Sequence, residues 1–151
     1  NMHLITGTLI LGNIDDARDP MPAIAGLLLV AEEFTIEPPP WLDYLHVPFK
    51  EFSAVDPARL DRAVTWLEAR ARGARTLVCC RAGMGRSASI LIAYFCCTQG
   101  MSYEESVAFV KARRPGAMPL PKLRETIEKV LKLRAHRINK KAQSASAPRV
   151  A

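Results

Sequence analysis

The chain lacks any long apolar run. Its most hydrophobic early stretch, AIAGLLLVA from Ala23 to Ala31, is too short to cross a bilayer. It also lacks an opening basic segment followed by an apolar one, so the expected location is cytoplasmic. Histidine is scarce: His3, His46 and His136 show no ligand spacing with the cysteines, which argues against zinc. Only four cysteines are present, in two adjacent pairs, Cys79-Cys80 and Cys96-Cys97. Adjacent cysteines bridge each other only with strain, and no spaced ladder of cysteines suggests a secreted scaffold.

What remains is an ordinary globular composition. With 151 residues, 49% hydrophobic and 24% charged, the chain fits one domain with a sizeable core. The net charge of +6 is uneven. From Lys111 onward there are 12 Lys/Arg against 2 Glu, whereas the first 110 residues carry a net charge of −4. A basic C-terminal third suits either a solvated helix face and tail or an anionic partner such as nucleic acid or membrane.

Strands and helices alternate in the pattern. TGTLILGN (Thr6 to Asn13) reads as a strand followed by the acidic turn DDARD, and Leu27 to Val30 as a buried strand. Three prolines make Glu37 to Trp41 a loop. YLHVPF (Tyr44 to Phe49) reads as another strand. Asp56 and Pro57 mark a helix start, Leu60, Val64 and Leu67 its apolar stripe, and Gly73 its close. TLVCC is a strand, and a helix is expected from about Ser87 to Gly100. Ser102 and Glu105 form a capping box for the next helix, which stops near Arg113 ahead of Pro115. A last helix is expected over roughly Lys122 to Arg137, and the SASAP stretch after it reads as disordered. The fold expected is a single α/β domain over residues 1–138, with a mainly parallel sheet flanked by helices, and a basic tail over 139–151.

The segment between the fourth of these strands and its helix, CRAGMGRS, carries the chemistry. Arg81 to Arg86 must curl tightly, and Gly83 and Gly85 permit the backbone angles this needs. Successive amides of Arg81, Ala82, Gly83, Met84, Gly85 and Arg86 then make a nest for an anion at a helix N-terminus. The guanidinium of Arg86 can grip two oxygens of that anion. A thiol on the floor of such a cradle ionises readily, which suits Cys80 to attack phosphorus and form a phosphocysteine. The Ser87 hydroxyl can donate to the sulfur when thiolate must leave. Other phosphate loops fit poorly: Gly85-Arg86-Ser87 lacks the lysine of a nucleotide P-loop, and a third glycine for a dinucleotide fingerprint is missing.

CRAGMGRS resembles the C-x-x-x-x-x-R-S/T signature of the cysteine-based protein tyrosine phosphatases. LILGNIDDARD and SILIAYFCCTQGMSYEESVAFVKARRP are similar to the flanks of the small dual-specificity phosphatase branch, so the likeness covers about residues 5 to 133. The resemblance implies a phosphomonoester hydrolase with no cofactor and no obligatory metal. Cys80 would be the nucleophile, Arg86 the phosphate-binding residue, and the substrate a phosphorylated protein, phosphotyrosine first and phosphoserine or phosphothreonine with it. A monomer is expected. A phosphoinositide or RNA 5′-phosphatase, and a weakly active phosphate-binding module, are the alternatives. Two positions depart from the family. The usual histidine before the nucleophile is Cys79, which raises the question of a disulfide trap for oxidised Cys80 involving Cys79, Cys96 or Cys97. The family's general-acid aspartate aligns with Glu51, with Asp56 the competing carboxylate that also has an N-cap role.

Overall fold

The computed structural model describes residues 1–70 and 72–146. Its strands are β1 (His3–Leu4), β2 (Leu9–Gly12), β3 (Ile24–Ala31), β4 (Asp43–Phe49) and β5 (Arg75–Cys79). Its helices are α1 (Ile14–Arg18), α2 (Pro57–Arg70), α3 (Arg86–Thr98), α4 (Tyr103–Arg113) and α5 (Leu123–Ser146). The sheet order is β1-β2-β5-β3-β4; only the β1–β2 pair is antiparallel. The expected single α/β domain with a mainly parallel sheet is thus the fold observed.

Position in the sheet follows from hydrophobicity. β5 is flanked on both sides and helices cover the sheet faces, which requires a strand apolar on both faces. Thr76 to Cys79 are accordingly all buried, as are Leu27 to Ala31 of β3. Helix α3 follows directly and is buried along most of its length, from Arg86 to Cys96. Its neighbours α2, α4 and α5 complete the layer. Capping follows the sequence at both expected starts: Asp56 accepts from the Arg59 amide (2.9 Å), and Ser102 and Glu105 form a reciprocal box. Gly100 turns the chain after α3 with a φ of 66°.

Three elements differ from expectation. Thr6 to Thr8 turn rather than extend, because the Thr6 hydroxyl accepts from the Thr8 and Leu9 amides (3.2 and 3.0 Å). That turn joins β1 to a β2 shorter than the strand expected from Thr6. The acidic turn is a short helix, α1, started by a capping box between Asn13 and Asp16. Helix α5 runs past Arg137 to Ser146 through residues of good helix propensity. Arg134 and Arg137 tie it to α2 through Glu68 (2.8 Å) and Asp61 (2.8 Å). The rest of the expected tail, 147–151, lies outside the described residues. No helix among the described residues is long and apolar enough to cross a membrane.

Candidate active site

The phosphate loop leaves the sheet at the carboxyl end of β5, the end where ligands bind in open α/β sheets. Its backbone is held from outside. The Arg81 carbonyl accepts from the Ile14 amide (3.1 Å), and the Met84 carbonyl from the Met118 amide (2.8 Å). Between them, the Ala82 and Gly83 carbonyls accept from Arg114 Nη2 (3.2 Å) and Nε (3.1 Å). In a trans peptide the carbonyl and the following N–H point in opposite directions. Four carbonyls fixed outward therefore turn the amides of Ala82, Gly83, Met84 and Gly85 inward. Helix α3 adds its first-turn amides, since its N-cap Gly85 supplies no side-chain hydrogen bond.

Gly83 is required twice over. Its φ is +73°, and a Cβ there would lie 2.5 Å from the Gly12 carbonyl oxygen and 2.6 Å from Arg114 Nη2.

Cys80 is 2% exposed at the floor of this cup. Its Sγ lies 3.2 Å from the Oγ of buried Ser87, in hydrogen-bonding contact. Arg86, equally buried, has five N–H donors, three of them committed. Nη1 donates to Glu33 Oε1 and to the Phe49 carbonyl (3.1 Å), and Nη2 donates to Glu33 Oε2 (2.8 Å). The remaining donors, on Nε and Nη2, have no acceptor within bonding distance among the described residues and form the side-on fork that an oxyanion can occupy. Hydrogen bonds from Arg86 hold the Glu33 carboxyl down to about 2, against the partial burial that opposes its charge.

Glu51 reaches the same cleft, its Oε2 3.9 Å from Arg86 Nη2. The cleft, about 330 Å³, is lined by Glu51, Cys80, Ala82, Gly85 and Arg86 and by an apolar rim. Asp56 is absent from that lining and serves as the cap of α2. Arg81 and Lys50 are exposed and do not line it.

Cys79 lies in β5, and burial pushes its thiol well above the usual range, with Asp16 adding to the effect. Burial also raises the thiols of Cys96 and Cys97, the latter to about 12. Burial thus disfavours the thiolate form in all three. No cysteine is in a disulfide.

Two residues escaped the sequence reading. Glu33 is 53 positions from Arg86, in the stretch just after the strand expected over Leu27 to Val30. Arg114 is 1% exposed, and its Nη1 also donates to the Asn1 carbonyl (2.6 Å) and to His3 Nδ1 (2.7 Å). Its only sequence signal is an arginine immediately before Pro115 at the end of α4.

Residues 28–131 match the family model described as "Dual specificity phosphatase, catalytic domain". The chain belongs to that family. It is 31% identical over 125 residues to mouse dual specificity protein phosphatase 15, covering 80% of this chain and 53% of the relative. It thus spans about half the length of that relative. Among solved structures, a mouse protein assigned as a dual specificity phosphatase, complexed with zinc tungstate, superposes with a TM-score of 0.76. It is 26% identical and covers 91% of each chain. PTPMT1 in complex with PI(5)P has a TM-score of 0.75 and 22% identity, covering 91% of this chain and 98% of that one, which shows a shared fold.

Proposed function

We propose that this domain hydrolyses phosphomonoesters on proteins through a phosphocysteine, with phosphotyrosine the main substrate and phosphoserine or phosphothreonine accepted. The observation that carries this reading is the loop with its carbonyls turned outward around Cys80, beside an Arg86 with two donors to spare. A phosphate dianion in that cup would take the inward amides and the free edge of Arg86. The Cys80 thiolate attacks phosphorus as the bond to the ester oxygen breaks. Glu51 gives its proton to the departing oxygen. Glu51, now a carboxylate, takes a proton from water as the water attacks the phosphocysteine, and Cys80 leaves as thiolate with a hydrogen bond from Ser87. Stabilising charge in a preorganised cup is the dominant contribution expected for such a reaction.

The lining of the cleft supports the protein substrate over more highly charged ones. Arg86 is its only cation among the described residues, whereas a phosphoinositide or a triphosphorylated RNA offers several phosphates to be neutralised. The test is steady-state turnover of a phosphotyrosine peptide, a phosphoserine peptide, a phosphoinositide and a triphosphorylated RNA, each with and without chelator. Multiple turnovers of the phosphotyrosine peptide, indifferent to chelation and abolished in Cys80→Ser, are expected. Preference for the lipid or the RNA overturns the substrate, and a single burst without turnover overturns the enzyme in favour of a binding module.

A further inference from the structure

Helix α5 outruns the packing that holds it. Leu123, Ile127 and Val130 are buried along its first half, and Arg134 and Arg137 tie the next turn to Glu68 and Asp61 of α2. From Ile138 to Ala145 every residue is exposed. Propensity alone holds a helical end of that length only marginally in water, so a surface covering it would stabilise it. Two features say what that surface is. The first is charge. No carboxylate follows Glu128 in α5, while Lys129, Lys132, Lys140 and Lys141 are exposed and have no ion-pair partner among the described residues. Carboxylates beside the helix are already taken, Asp61 and Glu68 by Arg137 and Arg134, and Glu104 by Arg124. The second is an apolar stripe. Leu131, Ala135, Ile138, Ala142 and Ala145 recur at i, i+4, i+7, i+11 and i+14, so they share one face over roughly 21 Å. All five are exposed, Ile138 at 65%. At helical spacing Lys132 lies on one side of the stripe and Lys141 on the other.

We propose that the C-terminal half of α5 is a membrane-surface helix that lies along an anionic bilayer, with its stripe in the boundary between headgroups and acyl chains and its lysines against the headgroups. A basic helix with one apolar face binds a bilayer in this way without crossing it. Lysine stems can bury alongside the stripe while their ammonium groups stay among the headgroups. A nucleic acid would match the charge but leave Leu131 and Ile138 in water. A second copy of the chain would match the stripe but set two rows of unpaired lysines against each other. The partner that answers both features at once is a lipid surface carrying negative charge. No residue of α5 lines the cleft above Cys80, so the proposal is independent of the phosphatase reading.

The experiment sediments the protein, without substrate, with vesicles of phosphatidylcholine alone or mixed with phosphatidylserine. Binding to the mixed vesicles should be tighter by about tenfold or more, and should weaken as salt is added. At about fivefold per lysine, replacing both flanking residues (Lys132→Gln with Lys141→Gln) should weaken it about 25-fold. Ile138→Gln keeps the charge and should weaken it about tenfold, the scale of one aliphatic side chain returned to water. All three positions are exposed, so the urea midpoint should stay at the wild-type value in each variant. Equal binding to the two kinds of vesicle, or none to the mixed ones, overturns the proposal. Wild-type affinity in Ile138→Gln overturns it as well, because charge alone then accounts for the adsorption. An RNA oligonucleotide bound more tightly than the mixed vesicles, with no loss in Ile138→Gln, assigns the charge to nucleic acid instead. A concentration-dependent dimer that Ile138→Gln dissolves assigns the stripe to a second copy, which also overturns it.

Discussion

Arg114 is the residue whose replacement says most about how the loop is held. Two of its hydrogen bonds fix the carbonyls of Ala82 and Gly83, and all of its charge is buried. Hydrogen bonds involving a charged group contribute about 1.5–3 kcal/mol each, so the two to the loop account for about 3–6 kcal/mol of the loss in Arg114→Met, which also removes the bonds to Asn1 and His3. That approaches the whole stability of a small domain, about 5–15 kcal/mol. Arg114→Lys is the informative variant: it keeps a charge and an apolar stem, but a single ammonium cannot reproduce the guanidinium fork across both carbonyls. We expect a loss of about 2–3 kcal/mol in urea denaturation, one bond's worth. A loop displaced by about 1 Å costs on the order of a hundredfold in turnover, and vanadate should bind correspondingly more weakly. Wild-type stability with turnover within about twofold would refute the clamp. A destabilised variant that binds vanadate as tightly as wild type would show that Arg114 supports the fold and not the loop.

Other perturbations test separate parts of the account. Gly83→Ala puts a Cβ against the Gly12 carbonyl at a positive φ, so it should lose about 1–3 kcal/mol of stability and most of its turnover of an aryl phosphate. Glu33→Gln should leave Arg86 less firmly placed and raise KM by about tenfold with a smaller change in stability. The Glu33 carboxyl is depressed from the usual 4.5 to about 2, so its pairing stabilises the fold fully above about 4.5 and is lost as pH falls towards 2. The drop in urea midpoint between neutral pH and pH about 3 should therefore be smaller in Glu33→Gln than in wild type. Glu51→Gln should lose rate chiefly on esters with poor leaving groups and lose the basic limb of the pH–rate profile. Asp56→Asn, which keeps a good N-cap, should do neither; the reverse pattern would move the acid to Asp56.

Local signals were legible where they were chemical and close in sequence. Asp56-Pro57 starts α2, Ser102 and Glu105 cap α4, and the CRAGMGRS run lies between a buried strand and a buried helix as its composition demands. Asn13 and Asp16 are equally local, yet DDARD reads as a turn because α1 has only 5 residues and no apolar period to announce it. What stayed hidden depends on contacts across the fold. KARRP reads as two surface arginines at a helix end. Arg113 does lie at the surface, its guanidinium 3.5 Å from the centre of the Phe109 ring, while Arg114 beside it is buried against a loop 31 residues away. Which of two adjacent cations turns inward is decided by the partner, and the partner is not next to it in the chain. Glu33 is hidden for the same reason. A glutamate after a strand looks solvated until Arg86 is brought to it.

In the proposed reaction Cys80 carries the phosphoryl group. Mixing the domain with an excess of an aryl phosphate, quenching in acid within milliseconds and measuring peptide masses tests it most directly. A peptide containing Cys80 should be heavier by one phosphoryl group, accumulating further in Glu51→Gln when a reactive aryl leaving group is used, and absent from Cys80→Ser. Phosphate found on another residue, or full turnover with Cys80 never modified, would contradict it.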